Sequence, residues 1–354
     1  MTATRKRQGL RWLALPWWTV QLATGAKSFV DNPLIGSKRL NRLGLHRARV
    51  RLAHRLAAMR RARLGRRLSP EDRAQFAEQG YVLVPDLLPA ERFEQLRTAL
   101  LAHATPAREM VQGDAITRRI AIDAAMLRAV PALRDLIREP RWKALMRYVA
   151  SFDSEPLYYI QTILTHRFDA PPDPQLSLHE DTFHPTMKAW YFLTDVAPED
   201  GPLTYVKGSH RLTPARLGWA QERSLQAPEG VDRLSARGSM RVAREELPGL
   251  GLPEPTPFAV PANTLVVVDT VGFHARGAAS RPSMRIEIWA YSRRNPFLPW
   301  LGWDLLSLPG LAERRIPWLW AMRDRLKRWI GQPWQPAGTI TPATDREKNH
   351  KIPS

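Results

Sequence analysis

Between residues 157 and 292 the chain changes its hydrophobic period, and this constrains its fold more than any other feature. Runs at 157–166, 176–181, 189–196, 203–206, 264–269 and 285–292 are short, rich in apolar and β-branched residues, and separated by turn signals such as Gly201-Pro202. Upstream the pattern is helical. Ser69-Pro70-Glu71-Asp72 supplies a capping hydroxyl, a first-turn proline and two acids facing the positive helix end. Gly80 stops that helix, 81–84 reads as a strand, and 89–104 as a second helix. Helices followed by many strands predict an α+β fold with a mainly β core and N-terminal helical support. Residues 212–257 are rich in Pro, Glu and Arg with weak periodicity, and are expected to form a lid-like insertion.

The chain has no cysteine, which excludes disulfides, thiolate metal sites and a cysteine nucleophile. Any metal must be held by His, Asp or Glu. Of the formal net charge of +19, residues 1–70 carry +16, from 17 Lys/Arg against Asp31 alone. A near-neutral body therefore bears a basic extension suited to anionic surfaces. Within it, 38–67 reads as a basic helix with Leu45, Ala48, Leu52, Leu56 and Met59 on one stripe, facing either the body or a membrane plane. The apolar run 12–26 follows Arg5, Lys6, Arg7 and Arg11, but Pro16 interrupts it and no clean cleavage site follows.

Of nine histidines, His46, His54, His103 and His350 are expected to be solvated. His179-Glu180-Asp181 is the only His-x-Asp. On a strand, His179 and Asp181 share a face and Glu180 points away. With one distant histidine the pair would complete a two-His-one-carboxylate triad, which leaves open positions on an octahedral metal. His274 follows the apolar run 264–269, and Arg285 opens the next one. Arg285 either clamps a small carboxylate or pairs with Glu287 on its own face.

With these residues the chain resembles the phytanoyl-CoA dioxygenase family of Fe(II)/2-oxoglutarate oxygenases. The resemblance runs from 68 to about 292. It rests on Phe76-Ala77-Glu78-Gln79-Gly80-Tyr81, on His179-Glu180-Asp181, on Gly201-Pro202-Leu203 with Gly208-Ser209-His210, and on His274 and Arg285. It implies a double-stranded β-helix, or jelly roll, with Fe(II) held by His179, Asp181 and His274. It also implies 2-oxoglutarate on Arg285, with Gln161, Trp190 and Arg119 as further co-substrate contacts, and O₂ as the oxidant. No catalytic residue beyond the metal centre is implied, and His210 is implied to be structural. Relatives commonly carry a small polar residue where this chain has Arg276. His184 lies close enough to rival the ligands. The retained Asp181 implies hydroxylation, since related halogenases lose this carboxylate.

The organisation expected is a basic extension (1–67), a dioxygenase domain (68–295) and a Trp/Arg-rich extension (296–354). Trp300, Trp303, Trp318 and Trp320 beside Arg323, Arg325, Lys327 and Arg328 suit a membrane interface, or else pack helices onto the core. The expectation is a hydroxylase of a lipid or lipid-linked substrate, cytoplasmic and peripheral at the inner face of a membrane. The alternatives are a soluble small-metabolite hydroxylase of the same family and a non-enzymatic basic binder of membranes or nucleic acid. Nucleic acid is disfavoured because the basic arm lacks interleaved stacking aromatics. Substrate identity and oligomeric state are not encoded in any motif.

Overall fold

The computed structural model describes residues 14–345 except 172, 230 and 231. Trp12, the basic cluster Arg5 to Arg11 and His350 lie outside the described residues.

Among the described residues eleven strands form two sheets: β1 (Tyr81–Val84), β2 (Thr105–Gln112), β3 (Ala115–Ala121), β4 (Leu157–Leu164), β5 (Met187–Phe192), β6 (Leu203–Tyr205), β7 (Thr256–Pro257), β8 (Leu265–Asp269), β9 (His274–Arg276), β10 (Met284–Ser292) and β11 (Gln335–Ile340). The larger sheet has the order β1-β8-β5-β10-β4-β3-β2-β11, and the smaller β7-β6-β9. Every pairing is antiparallel. This is the mainly β jelly-roll core with helical support that the sequence predicts.

Strand alternation divides the large sheet into two faces. On β10, Ile286, Ile288 and Ala290 point into a core shared with Leu96, Leu133, Trp142 and Leu145 of the supporting helices. Arg285, Trp289 and Tyr291 point the other way, into a cavity. On β5 the division is Met187, Ala189 and Tyr191 against Lys188, Trp190 and Phe192. The helices thus brace one face and leave the other free for chemistry.

The N-terminal helix signal holds: Ser69 accepts from the Asp72 amide, the helix runs Pro70–Gln79, and Gly80 closes it at φ +86°. The basic helix, Leu45–Leu64, departs from expectation. Its buried face is His46, Arg49, Val50, Ala53, Ala57, Arg60 and Leu64, whereas Leu52 and Met59 are exposed. Arginines face inward because backbone carbonyls await them. Arg49 donates to the Leu22, Thr24 and Ala26 carbonyls. Arg60 donates to Ser151, Pro296 and Leu298 carbonyls, with its guanidinium over the Phe152 ring at 3.9 Å. A guanidinium with most of its donors used can be buried at tolerable cost, so hydropathy alone misassigns this face. His46, expected to be solvated, lies buried between Phe29 and Phe183.

Two further expectations change. Residues 176–181 are not a strand: Asp173 caps a single turn at Pro174–Leu176, and His179 forms only isolated bridges, to His274 and to Arg241. No described residue of 212–257 lines the cavity. The segment contributes a helix, Pro214–Gln226, whose Trp219 packs on Phe273 at 5.0 Å. Arg216 of that helix forms a buried ion pair with Glu180. The insertion therefore buttresses the His179–Asp181 segment from behind.

Candidate metal centre and its cavity

His179, Asp181 and His274 converge, each offering one ligand atom, with these atoms all within 4.8 Å of one another. Reciprocal backbone bonds join His179 and His274: each amide donates to the other's carbonyl at 3.0 Å. Nδ1 of His179 bonds the Ser177 carbonyl at 2.8 Å, and Nδ1 of His274 the Gly272 carbonyl at 2.9 Å. A carbonyl only accepts, so each Nδ1 carries the proton and each Nε2 presents its lone pair. Those Nε2 atoms stand 3.8 and 3.7 Å from Asp181 Oδ1, too far for hydrogen bonds. His274 Nε2 is buried with no hydrogen-bond partner. Two imidazoles of fixed tautomer, one carboxylate and an orphaned buried nitrogen fit a divalent metal.

Charge at the site agrees. Burial pushes the Asp181 carboxyl upward, but Lys188, whose Nζ is 2.6 Å from Oδ2, and the two histidines hold it well below the usual carboxylate range. Burial, reinforced by the His274 charge, drives the His179 imidazole well below its usual value. An ionised carboxylate beside a neutral His179 imidazole is the ligating state.

The cavity of about 540 Å³ opens from this cluster between the sheets. Arg285, on β10, is buried in its wall. Its Nε has no hydrogen-bond partner, and among the described residues it makes no ion pair. Glu287 does not pair with it: Glu287 Oε1 accepts from Gln161 Nε2 at 2.8 Å. Gln161 in turn accepts from Arg119 Nε at 2.9 Å. The Arg119 guanidinium lies 3.9 Å from the Trp289 ring and 4.5 Å from that of Trp334. Trp190 faces the same space. Arg276 is held by Asp173 at 2.6 Å and turns its other arm toward Thr117. His184 is buried away from the cluster, next to Gly25. His210 packs on Phe76 and stands clear of the triad.

Residues 76–240 match the family model of phytanoyl-CoA dioxygenase (PhyH). Over these residues, a little under half of the chain, the sequence is similar to that family. That family belongs to the Fe(II)/2-oxoglutarate-dependent oxygenases, with O₂ as co-substrate. The match includes His179 and Asp181 and ends before His274 and Arg285, which the fold brings back to the same cavity. No curated protein matches the chain. Among solved structures, the α-ketoglutarate-dependent epimerase SnoN from nogalamycin biosynthesis is 22% identical, with a TM-score of 0.41, covering 65% of this chain and 82% of its own. HygX from Streptomyces hygroscopicus, solved with nickel and 2-oxoglutarate, is 18% identical, with a TM-score of 0.41, covering 63% of this chain and 86% of its own.

Several residues lining the cavity belong to no motif. Lys188 and Tyr291 are reachable by alternation from Trp190 and Arg285. Lys27, Trp320 and Trp334 lie outside residues 68–292, and no local signal directs them here. The helix Arg315–Arg325 contributes Leu319, Trp320 and Arg323 to the cavity wall, and the segment before β11 adds Pro333 and Trp334.

Proposed function

We propose that this chain is an Fe(II)/2-oxoglutarate-dependent dioxygenase that hydroxylates an unactivated C–H of a lipid or lipid-linked molecule at a membrane surface. The observation that carries the chemistry is the pair of histidines whose Nδ1 protons are fixed on carbonyls while both Nε2 atoms face Asp181. His179, Asp181 and His274 would hold the metal. Bound iron with 2-oxoglutarate and O₂ supplies the oxidation of a C–H bond coupled to oxidative decarboxylation.

The chain's own residues prepare that chemistry. Arg285 offers a desolvated guanidinium to the distal carboxylate of the co-substrate. Glu287, Gln161 and Arg119 form a relay that fixes the floor on which the co-substrate lies. Lys188 keeps Asp181 ionised. Trp190, Trp289 and Trp320 wall the cavity and exclude water, which strengthens every charge interaction inside it.

Support for a lipid surface comes from the C-terminal extension. Its helix presents Trp320 and Arg323 to the cavity, while Trp318 and Met322 on the same helix are exposed. Trp303 and Trp329 are 92% and 85% exposed. They stand in a segment with Arg325, Lys327 and Arg328, a composition that suits an anionic interface. Among the described residues no helix is long and apolar enough to cross a membrane. Against the nucleic-acid reading, Arg49, Arg60 and Arg61 of the basic helix are occupied by internal contacts.

The test is anaerobic titration of the protein with Fe(II) and 2-oxoglutarate, followed by O₂, with succinate release and one-oxygen gain in membrane lipids read by mass spectrometry. Wild type should release succinate and Asp181→Ala should not, at unchanged thermal stability. Succinate release by the variant would refute the assignment.

A further inference from the structure

Among the described residues, seven Lys and Arg side chains line the cavity against one carboxylate, Asp181. Four of the cations are accounted for. Arg276 is neutralised by Asp173, Lys188 by Asp181, and Arg119 is held by Gln161 between two indoles. Arg285 is the anchor for the co-substrate in the reading above. Lys27, Arg293 and Arg323 remain, and among the described residues none of them meets a carboxylate at ion-pair distance.

Lys27 and Arg293 lie together on the Asp181 side. Lys27 Nζ donates to the Asp181 backbone carbonyl. Arg293 donates to the Gly25 carbonyl at 2.9 Å, which ties it to the segment that carries Lys27. Two cations brought together in a partly desolvated wall repel each other, and a backbone carbonyl does not cancel either charge. A bound metal would use the charge of Asp181, which leaves this end of the cavity more positive still.

We propose that Lys27 and Arg293 form a second anion subsite, distinct from Arg285, which takes a phosphate group of the oxidised substrate. This rests on the oxygenase reading only for the assignment of Arg285 to the co-substrate. An ammonium and a guanidinium fork together offer more donors than one carboxylate accepts, and match the several oxygens of a phosphate. Beside them, Tyr291, Trp289 and Trp190 provide an aromatic wall for an apolar body. The cavity volume is that of a small-molecule site, so the occupant is a phosphate-bearing molecule with a short apolar portion inside. The phosphate could belong to a lipid headgroup or to a free phosphorylated metabolite.

Binding separates these cases without turnover. The full chain, loaded anaerobically with Mn(II) and 2-oxoglutarate, is titrated calorimetrically with dihexanoyl phosphatidate, glycerol 3-phosphate and uncharged dihexanoylglycerol. Phosphatidate should bind at least tenfold more tightly than dihexanoylglycerol. Lys27→Met and Arg293→Gln should each erase that advantage, and Lys27→Arg should keep it. The affinity for 2-oxoglutarate should be unchanged in Arg293→Gln. Glycerol 3-phosphate binding as tightly as phosphatidate, and lost in the same variants, supports the subsite with a free metabolite as its source. Equal binding of charged and uncharged probes, or full phosphatidate affinity in Arg293→Gln, overturns the proposal. Arg293 is exposed, so its variant carries the test even if Lys27→Met fails to fold. Absence of 2-oxoglutarate binding in wild type would strike the oxygenase reading instead, and the phosphate comparison would still stand.

Discussion

His274 Nε2 stands 3.7 Å from Asp181 Oδ1, although most of the second half of the barrel separates them in sequence. The two are held by different devices. Asp181 is fixed by its amide bond to the Thr270 carbonyl and by Lys188. His274 is fixed by its backbone bridge to His179 and by Gly272. A centre assembled from separate supports should fail by separate routes.

Gly272→Ala tests the support of His274. A Cβ at this position would stand 1.9 Å from Tyr205 Oη, which is itself bonded to the Asp269 carbonyl at 2.8 Å. The backbone must shift, and it carries the carbonyl that fixes the His274 tautomer. We expect a loss of about 1–3 kcal/mol in stability and at least tenfold weaker metal binding. Thermal melts and metal titration check the two effects separately. Unchanged metal affinity would show that the Gly272 carbonyl is dispensable.

Arg60→Met tests the inward-facing arginines. The guanidinium is fully buried and serves carbonyls from two distant segments, 151 and 296–298. Methionine keeps the volume and strands those carbonyls. Each buried acceptor left unpaired costs about 1–3 kcal/mol, so the melting temperature should fall by several degrees. Arg63→Met, on the exposed face of the same helix, should have little effect.

Histidine burial sets an acid limit. Burial lowers His46 and His210 to about 3. The unfolded imidazoles titrate near 6.5 and take up protons that the native state refuses, so stability is complete above that pH and declines as pH falls toward 3. Each group contributes a slope of at most about 1.4 kcal/mol per pH unit in that window. Neither ring nitrogen of His46 has a partner, so His46→Leu should flatten the slope and raise the melting temperature at pH 5. Melting curves from pH 7.5 to 4.5 are the measurement. An unchanged slope would mean that His46 is protonated in the native protein.

Membrane association is testable on the exposed indoles. Trp303→Ser with Trp329→Ser removes the two most exposed aromatic rings and leaves Trp320 and Trp334 in the cavity wall. Sedimentation with phosphatidylglycerol vesicles should drop about tenfold or more, while 2-oxoglutarate binding persists. Retained sedimentation would assign any attachment to the basic N-terminal segment.

Much of the scaffold could be read from local signals. Ser69 and Gly80 bound their helix, and period-two runs marked β4, β5, β8 and β10. Alternation along those strands also places Gln161, Trp190 and Arg285 on the cavity face. Where a second element was needed, local reading failed. Apolar residues at helical spacing pointed to Leu52 and Met59, yet the buried stripe contains Arg49 and Arg60. The carbonyls that satisfy those arginines come from residues 22–26, 151 and 296–298.

The sequence by itself determined which residues could ligate a metal and the order of strands that would carry them, because side-chain chemistry and strand alternation are local properties. Only the tertiary structure decided that His274 reaches Asp181, that the insertion braces Glu180, and that Lys27 and Trp334, far apart in sequence, line one cavity. Such pairings depend on which elements are adjacent in space. Hydropathy and spacing carry no record of the partner that makes a buried charge affordable.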